Sequence, residues 1–378
     1  MRVMHVIEAM HQGGAESLVV EHARLAAPDI ETEVCALNRG GPALEAARAT
    51  GAEVRVLGSG GLTRLLALAR RMRETRVDVV HGHNPTGGLY GALAARLAGV
   101  PAVLRTEHSF HFAGRHSRFY PALERVSTAL TGRVICVCEA VRASHASRLG
   151  GDPARFVVVL NGVAEPSPVR PRADTRRALG LADDAPLVLT VGSLTRQKAQ
   201  HLLIEAMALP PLNGAHLWIA GEGPLRADLE RRRDTLGLAA RVSFLGARGD
   251  VGDLLAACDV FVLSSSREGL SVTLLEAMRA ACPAVATRVG GNAEAVLDGV
   301  TGLIVPPGQA GALAVALGEL LGDADRRSAF GRAGRERWAA LFSAERMVRE
   351  TETLYRALLD RRSMRPLADK LVRRGNAA

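Results

Sequence analysis

Short apolar runs alternate with amphipathic stretches along most of the 378 residues. Apolar runs of strand length predict buried strands, and apolar residues at helical spacing between them predict helices that pack on one face. Strands that alternate with helices are typical of a parallel α/β sheet. In the first half the pattern predicts strands at residues 3–7, 33–37, 53–56, 77–81, 102–106, 134–137 and 157–160.

The pattern restarts in the second half, with predicted strands at residues 187–191, 216–220, 242–245, 260–263, 284–287 and 302–305. Residues 164–186 lie between the halves and carry four prolines, which predicts a linker with a short helix near residues 176–179. We therefore expect two doubly wound, Rossmann-like α/β domains facing a cleft, at residues 1–165 and 166–344. The helical pattern after residue 345 is longer than the second domain needs.

Charge and composition narrow the classes of partner. The net charge is +9, and Lys198 and Lys370 are the only lysines. An anionic substrate, an anionic membrane surface and nucleic acid could each explain the positive charge. Because aromatic residues make up 3% and no nucleic-acid motif is present, nucleic acid is the weakest of the three, and we expect no nucleic-acid partner.

Three features of the sequence bear on the cellular compartment: the cysteines, the N-terminal residues and the length of the apolar runs. The five cysteines form no C-x-x-C pair, so we expect them to be reduced and mostly buried. The N-terminus lacks the pattern of a signal peptide, and no apolar run reaches 18 residues. These features predict a cytoplasmic protein.

The segment at residues 264–283, SSSREGLSVTLLEAMRAACP, carries two glutamates, Glu268 and Glu276. It follows an apolar run and then shows helical spacing until Pro283. We therefore expect Glu268 on a strand-to-helix loop and Glu276 about two turns inside the helix. A helix N-terminus favours phosphate, and a carboxylate farther along can accept hydrogen bonds from ribose hydroxyls. The alternative is two ordinary surface glutamates.

Two further loops carry glycine at a predicted strand end. The loop at residues 192–198, GSLTRQK, joins a glycine to two cations, Arg196 and Lys198, which suits a pyrophosphate. The loop at residues 11–16, HQGGAE, has paired glycines that let a backbone approach a ligand closely. Neither loop matches the dinucleotide or P-loop fingerprint, and an ordinary tight turn stays open for the second.

Histidines follow two predicted strands of the first half. His81 and His83 end one, and Glu107 and His108 end the next. A metal site is conceivable there, but no third ligand at a fixed spacing supports it. His108 could position a hydroxyl group or serve a structural role. The helix predicted at residues 62–76 has an apolar face of Leu62, Leu65, Leu66, Ala69 and Met72, with Arg64, Arg70, Arg71, Arg73 and Arg76 on or beside the opposite face. This basic amphipathic helix and a basic tail favour contact with an anionic membrane, although outer helices of α/β sheets are amphipathic in any case.

Taken together, these motifs resemble the retaining glycosyltransferases of family 4, which have the GT-B fold of two Rossmann-like domains. The resemblance spans residues 1 to about 359, and its pieces occur in the family's order. They are GGAE at 13–16, HGH at 81–83, TEH at 106–108, NGV at 161–163, the 192–198 loop, GEGP at 221–224, FLG at 244–246, EGLS at 268–271 with Glu276, GG at 290–291 and GLIVP at 302–306.

The resemblance implies a role for each matching position. Lys198 would bind the donor diphosphate, Glu276 the ribose, and Glu268 with residues 269–271 the sugar. Residues 246–251 would border the base. The helix after residue 345 would cross back to the first domain, which accounts for its surplus length. The implied catalytic residues are Glu268, Lys198 and His108, with His81, His83 and His108 on the acceptor side. The implied donor site consists of Gly13, Gly14, Ser193, Arg196, Lys198, Gly246, Gly269, Leu270, Ser271 and Glu276.

The resemblance also implies the partners. The donor would be a nucleotide sugar linked to UDP, GDP or ADP, with no cofactor and no obligatory metal. The acceptor would be a glycan or a lipid-linked molecule in glycan synthesis, reached from the cytoplasm, at the inner face of the membrane if the basic helix binds lipid. A nucleotide-sugar epimerase and an inactive nucleotide-binding scaffold are the alternatives.

Three positions depart from the family's pattern. Ser193 stands where arginine is common, and Arg196 lies in a different register. Ala199 and Ala281 stand where glycine is common, and the second removes the residue that favours a left-handed helix end.

Overall fold

The computed structural model describes residues 1–11, 13–58, 60–110, 120–150, 152–165 and 170–375. The chain forms two compact units. The first consists of residues 1–161 and 344–378, and the second of residues 162–343. The sequence placed the corresponding changes after residue 165 and before residue 345.

The first unit is built on a seven-stranded sheet in the order β3-β2-β1-β4-β5-β6-β7, and its neighbouring strands are parallel. Parallel neighbours need crossover connections, which are helices for most of these strands. The strands are β1 Arg2–Ala9, β2 Glu31–Arg39, β3 Glu53–Val56, β4 Val79–His83, β5 Ala102–Glu107, β6 Arg133–Cys136 and β7 Phe156–Val158. The helices are α1 Gly14–Arg24, α2 Pro42–Ala49, α3 Gly61–Glu74, α4 Asn84–Ala98, α5 Tyr120–Leu130 and α6 Glu139–Leu149.

Side chains of β1 alternate between the two faces of this sheet. Met4 and Val6 join one apolar cluster with residues of α3 and α4. Ile7 joins a second cluster with residues of α1 and α2. His5 lies between these positions and therefore shares the face of Ile7. One face of the sheet thus carries a buried imidazole.

The second unit is built on a six-stranded sheet in the order β10-β9-β8-β11-β12-β13, again with parallel neighbours. One large apolar cluster forms its core. The strands are β8 Leu187–Val191, β9 His216–Ala220, β10 Val242–Gly246, β11 Val260–Leu263, β12 Ala284–Thr287 and β13 Gly302–Val305. The helices are α7 Arg172–Ala178, α8 Gln200–Met207, α9 Arg226–Thr235, α10 Val251–Ala257, α11 Val272–Arg279, α12 Asn292–Ala295, α13 Ala310–Gly322 and α14 Ala324–Leu341.

The predicted linker is anchored where the structure describes it. Residues 166–169, with two of its prolines, lie outside the described residues. Arg176 on α7 is fully buried, and its guanidinium donates to Asp259 Oδ2 at 2.9 Å and to the carbonyl of Ala257 at 2.9 Å. Arg172 donates to the other oxygen of Asp259 at 2.7 Å. Charge-assisted bonds to a partly buried carboxylate hold α7 against the start of β11.

The last helix, α15 Ala344–Gly375, packs on the first unit, as the sequence predicted. Glu352 accepts a hydrogen bond from the backbone N–H of Ala27 at 2.9 Å, and Arg356 pairs with Asp29 at 2.8 Å. Tyr355 is buried, and its hydroxyl lies 2.6 Å from His81 Nδ1. The surplus helix therefore reaches the interior of the first unit.

Helix α3 differs from its predicted amphipathic arrangement. The expected apolar face included Leu62 and Leu66, but these side chains are 68% and 53% exposed, and Leu68 is buried instead. Arg71 was expected on the polar face, yet its Nε donates to the buried Glu33 at 2.8 Å. The helix therefore exposes leucine beside arginine. No helix among the described residues is long and apolar enough to cross a membrane.

All five cysteines are buried free thiols, as predicted. Burial raises the pKa of Cys35 and Cys258 above its ordinary range because a thiolate is poorly solvated in the interior. We read these thiols as packing groups.

The backbone is strained just after the end of helix α11. Ala281 follows it with φ of +54°, in the left-handed region that glycine adopts with least strain. We expect Ala281→Gly to raise the free energy of unfolding of the second unit by about 1 kcal/mol, because relief of the left-handed strain exceeds the added entropy of the unfolded chain. Urea unfolding followed by Trp218 and Trp338 fluorescence checks this, since both tryptophans are buried in that unit.

The matched control is Ala280→Gly. Ala280 has φ of −76° and gains nothing from glycine, so this variant should be destabilised. Equal loss of stability in both variants would contradict the assignment of strain to Ala281.

Candidate active site

The second sheet reverses its strand order at β8. β9 lies on one side of β8 and β11 on the other, although β11 comes later in the chain. In open parallel sheets, ligands bind at the carboxyl ends of the strands on both sides of such a point. The loops that follow β8 and β11 carry Lys198 and Glu268, respectively. Topology thus brings together the two residues that the sequence singled out.

The loop after β8 is held by close backbone contacts. Gly192 has φ of +155°, and a Cβ at Gly221 would lie 2.0 Å from the Gly192 carbonyl oxygen. The backbone N–H of Leu194 donates to the Glu222 carbonyl at 2.9 Å. Ala199, which precedes α8, has φ of +50°. The glycines of the GEGP motif therefore support the lysine loop.

Lys198 and Glu268 form a close ion pair. Lys198 Nζ lies 2.6 Å from Glu268 Oε1, and Ser265 Oγ donates to the same oxygen at 2.6 Å. The Glu268 side chain is 7% exposed and the Lys198 side chain 18%. A cation and a carboxylate shielded from water interact more strongly than a surface pair. The contact holds the Lys198 ammonium group at the carboxyl edge of the sheet.

Further hydrogen bonds join the same two loops. Ser264 Oγ donates to the Lys198 carbonyl at 3.0 Å, and the Ser266 N–H donates to the Gln197 carbonyl at 2.8 Å. The third loop, after β12, also contacts Glu268, because a Cβ at Gly290 would lie 1.8 Å from the Glu268 carbonyl oxygen. The Gly291 N–H donates to Gly269 at 2.7 Å. Three loops thus fix the backbone at residues 268–269.

Helix α11 begins beside this pair. Ser271 is its N-cap residue and makes no side-chain capping bond. The first backbone N–H groups of a helix have no acceptor within the helix and carry a partial positive charge. Gly269, Leu270 and Ser271 are all buried just before this turn. The residues predicted for the donor sugar therefore lie together at a helix N-terminus.

The predicted depth of Glu276 in this helix was wrong. Because Ser271 caps α11 and Val272 is its first residue, Glu276 lies about one turn inside rather than two. The helical spacing in the sequence also begins at Val272, so the error lay in the number of turns counted to Glu276. Glu276 is half-buried. Its carboxylate is thus nearer to the helix N-terminus than expected.

The other predicted donor residues lie at the same edge. Ser193 and Arg196 are exposed, and the Ser193 carbonyl accepts from Gln200 Nε2 at 3.0 Å. Gly246 ends β10 with φ of +70°, next to Glu222. Glu222 pairs with Arg226 at 2.6 Å. Arg226 is a cation at this edge that the sequence analysis did not identify.

In the first unit, α1 begins at Gly14, with Gly13 as its extended N-cap residue. The loop follows the carboxyl end of β1, as predicted. A surface pocket lies at this end of the sheet. Its lining residues are Glu8, Ala9, His11, Asn38, Arg39, Gly58 and Arg64.

Four histidines are buried on one face of the first sheet. His5 and His81 are paired across β1 and β4, and His83 follows two residues later on the same face. His22 on α1 stacks on His5 with ring centroids 5.4 Å apart. Exposed fractions are 7% or less for these four, and His108 is half-buried.

Hydrogen bonds link these rings. His83 Nε2 lies 3.0 Å from His5 Nδ1, and His83 Nδ1 lies 3.1 Å from His108 Nε2. His81 contacts Tyr355 Oη and Thr106 Oγ1, each at 2.6 Å. Because both its nitrogens are engaged and the residue is fully buried, His81 offers none to an acceptor, in contrast to the sequence expectation.

Within the part of the chain that the structure describes, two buried groups have the spacing of metal ligands. One is His5, His81 and His83, and the other is Glu107, Glu124 and His145. The first is satisfied by the hydrogen bonds above. In the second, Glu107 pairs with Arg105 at 2.7 Å, and Glu124 pairs with Arg148. These contacts explain both groups as internal networks.

Burial lowers the pKa of His5 from 6.5 to about 4, and desolvation also lowers the pKa of His22, His81 and His83. Between pH 6.5 and 4 the unfolded chain binds a proton at His5 that the folded unit does not, so stability decreases as pH falls. We expect a loss of about 3 kcal/mol from His5 alone. Hydrogen exchange of β1 and β4 peptides at pH 7.5 and 4.5 measures this loss of stability. Tryptophan fluorescence does not report on the first unit, because both tryptophans lie in the second.

The control is His5→Phe, which keeps a ring but removes the titrating group. Its exchange rates in the same peptides should respond less to acid. An unchanged response would show that groups other than His5 control acid stability.

Comparisons with known proteins agree with this geometry. Residues 171–337 match the family described as Glycosyl transferases group 1, and residues 12–165 match Glycosyltransferase Family 4. EpsD of Bacillus subtilis, which carries the name of a glycosyltransferase, is 32% identical over 78% of this chain and 81% of its own length.

The chain belongs to the group 1 glycosyltransferases of family 4.

A second relative of this glycosyltransferase is UDP-Gal:alpha-D-GlcNAc-diphosphoundecaprenol alpha-1,3-galactosyltransferase of Escherichia coli. It is 32% identical over 60% of this chain and 62% of its own length. The crystal structure of Anabaena HepE in complex with UDP-glucose has a TM-score of 0.83 at 23% identity, with 94% of this chain and 99% of HepE covered. That likeness confirms the predicted GT-B fold.

Sequence reasoning missed several residues of the glycosyltransferase. His5 and His22 lie outside any motif, and their only signal is a polar residue within an otherwise apolar strand or helix face. Ser265 stands in the quoted segment, but its hydroxyl bond to Glu268 depends on loop geometry. Tyr355 lies on α15, and the periodicity of that helix does not indicate which residues of the first unit it contacts.

Proposed function

We propose that this glycosyltransferase moves a sugar from a nucleoside diphosphate sugar to an acceptor hydroxyl, with retention of configuration at the anomeric carbon. The observation that carries the proposal is the Lys198–Glu268 pair beside the N-terminus of α11, at the point where the sheet reverses its strand order. A shielded cation and helical N–H groups are what a departing diphosphate needs.

Each residue then has a chemical role in the donor site. Lys198 would contact the diphosphate as a compact cation, sharing its ammonium with Glu268. Glu268 and the backbone of residues 269–271 would bind hydroxyls of the sugar. Glu276 would accept hydrogen bonds from the ribose, and residues 246–251 would border the base. Ser193 and Arg196 would lie beside the phosphates as exposed groups.

In the proposed reaction, the bond between the anomeric carbon and the phosphate oxygen breaks as negative charge grows on the diphosphate. Lys198 and the N–H groups of α11 stabilise that charge. The acceptor oxygen attacks from the face that the phosphate leaves, and its proton passes to the departing phosphate. This route needs no pair of carboxylates of the glycosidase type. It also needs no obligatory metal or cofactor, because protein groups supply the positive charge.

UDP is the nucleotide with most support. Anabaena HepE is described in complex with UDP and with UDP-glucose, and the Escherichia coli relative is named for UDP-Gal. GDP and ADP are the other nucleotides to test. The same relative is named for a diphosphoundecaprenol acceptor, and another, from Rhizobium meliloti, for lipopolysaccharide core biosynthesis. These names favour a glycan or lipid-linked acceptor.

The acceptor side would lie in the first unit. His108 is half-buried at the end of β5 and has His83 as its neighbour. Gly13 and Gly14 begin α1 at the same carboxyl edge. We assign His108 to the acceptor hydroxyl and His83 to its support. His81 is assigned to the interior.

Helix α3 supports contact with an anionic membrane surface from the cytoplasmic side. Leu62 and Leu66 are exposed, and the exposed Arg70 and Arg73 lie farther along the helix. Exposed leucine with arginine on one helix suits the headgroup region of a bilayer. The double variant Leu62→Ser/Leu66→Ser should reduce sedimentation with vesicles of anionic phosphatidylglycerol but leave that with neutral phosphatidylcholine unchanged. Equal partitioning of the wild-type protein onto the anionic and the neutral vesicles would overturn the proposed membrane contact.

The experiment that tests the function is a donor panel of UDP-, GDP- and ADP-sugars, with proton NMR of the product's anomeric coupling. We expect one donor to be consumed and an α-linked donor to give an α-linked product. A β-linked product would overturn retention. Isomerisation of the donor without transfer would indicate an epimerase. Nucleotide binding without any turnover, whatever acceptor extract is added, would indicate an inactive scaffold.

A further inference from the structure

The three rings His5, His83 and His108, here called the imidazole chain, have a property that single histidines lack. His83 uses both of its nitrogens, one toward His5 Nδ1 at 3.0 Å and one toward His108 Nε2 at 3.1 Å. A neutral imidazole has one N–H and one lone pair. His83 therefore donates to one neighbour and accepts from the other.

Burial keeps the inner two rings neutral. Desolvation lowers the pKa of His5 and His83, and their exposed fractions are 2% and 1%. Each hydrogen bond needs one donor and one acceptor, so both bonds of the chain must run in the same direction. If His5 donates from Nδ1, His108 accepts at Nε2 and carries its proton on Nδ1. If His5 accepts, His108 carries its proton on Nε2.

The tautomer of His108 is thus linked to a ring that it does not touch. We propose that His83 and His5 are positioning residues, which orient the His108 ring and fix whether its Nδ1 carries a lone pair or a proton. The proposal rests on the assignment of His108 to the acceptor hydroxyl. A fixed tautomer matters there because Nε2 is engaged by His83, so His108 can accept a hydrogen bond from that hydroxyl only through an unprotonated Nδ1. The direction in which His5 accepts is the one that leaves Nδ1 unprotonated.

The remaining contacts of the cluster support an orienting role. His81 is held by Tyr355 and Thr106 and stacks on His83 with centroids 4.3 Å apart. His22 stacks on His5, but among the described residues no hydrogen bond joins His22 to a ring of the imidazole chain. Stacking from His81 limits rotation of His83. His22 therefore offers a control that shares the packing but not the hydrogen bonds.

The test is a long-range proton–nitrogen correlation spectrum of histidine-labelled protein at pH 8, with the His108 signals assigned by His108→Gln. We expect wild-type His108 as a single tautomer. His5→Phe keeps an aromatic ring but removes the hydrogen-bonding nitrogen at the inner end of the imidazole chain. This variant should show His108 as a mixture of tautomers or as the opposite tautomer. His5→Asn can place its Oδ1 near the former Nδ1 position as an acceptor and should restore the wild-type tautomer. His22→Phe should leave the spectrum unchanged.

A mixed tautomer in wild type, or the same His108 signals in wild type and His5→Phe, would overturn the proposal. If His5→Phe does not fold, His83→Gln changes the middle ring of the imidazole chain instead, and its His108 signals are compared with those of the wild type in the same way. Retention of one Zn²⁺ per chain after dialysis, lost in His5→Asn, would also overturn it, since a metal would then hold the rings.

A kinetic measurement separates this proposal from the function on which it rests. With a donor and acceptor in hand, His5→Phe should lower kcat about tenfold and leave the donor KM unchanged, although His5 contacts no substrate. The spectra need no substrate. If no transfer is ever found, the proposed function fails while the tautomer result still stands.

Discussion

Lys198→Ala is expected to lower kcat/KM for the donor about 100-fold or more, with the larger part in kcat. Removal of one preorganised donor to a developing anion commonly has an effect of this size. Lys198 Nζ is shielded from water and lies 2.6 Å from Glu268, so its position is fixed before a phosphate arrives. The donor identified by the panel is the substrate for this measurement. Lys370→Ala, at the other lysine of the chain, is the control and should retain wild-type rates.

The same variant also leaves Glu268 shielded without its cation, so lower stability could imitate a catalytic loss. The double variant Lys198→Ala/Glu268→Gln separates the two effects. It removes the unpaired charge and should recover most of the unfolding free energy, because a neutral amide is less costly to bury. Turnover should stay low. Recovery of turnover together with stability would show that the pair is structural.

Gly290→Ala is expected to lower the free energy of unfolding of the second unit by about 2 to 5 kcal/mol. Part of this is the left-handed backbone, at φ of +51°, and part is the collision of a new Cβ with the Glu268 carbonyl oxygen 1.8 Å away. The collision can be relieved only by moving backbone in the loop that carries Glu268. We therefore expect nucleotide affinity to decrease as well, measured by titration calorimetry after urea unfolding has established stability.

Gly299→Ala is the matched control for this variant. Gly299 also has a left-handed backbone, with φ of +73°, but a Cβ there would have no atom within 4 Å. It should lose about 1 to 2 kcal/mol and retain nucleotide affinity. Equal effects of the two variants on both quantities would show that the contact between residue 290 and the Glu268 loop does not position the site.

The periodicity of the chain predicted both parallel sheets because each strand is a short apolar run between helices. Strand ends were less accurate where apolar residues continue into a loop. The fourth strand was expected at residues 77–81, and the structure has it at Val79–His83, since pairing with β1 and β5 decides where it ends. Strand pairing is a tertiary effect that a local pattern does not contain. The start of helix α11 at Val272 was predictable, because the helical spacing of the sequence begins there as well.

The donor-side site was predictable because its residues stand within motifs of fixed order. Ala199 and Ala281 illustrate how far such reasoning extends. Both were recognised as departures from glycine, and both adopt the left-handed conformation, at φ of +50° and +54°. The fold thus keeps the backbone that glycine would favour and tolerates the strain. The imidazole chain was not predictable, since His5 meets His83 only through the packing of β1 beside β4.

Titration calorimetry of UDP into wild type, Lys198→Ala and Glu276→Ala tests the central claim most directly, with Glu319→Ala as a control at an exposed glutamate of α13. The account predicts one UDP per chain for wild type and the control, with affinity at least tenfold weaker in the two site variants. GDP and ADP are titrated in parallel to cover the other donors. Unchanged affinity in both site variants, or no binding of any of the three nucleotides to wild type, would contradict the assignment of the donor site.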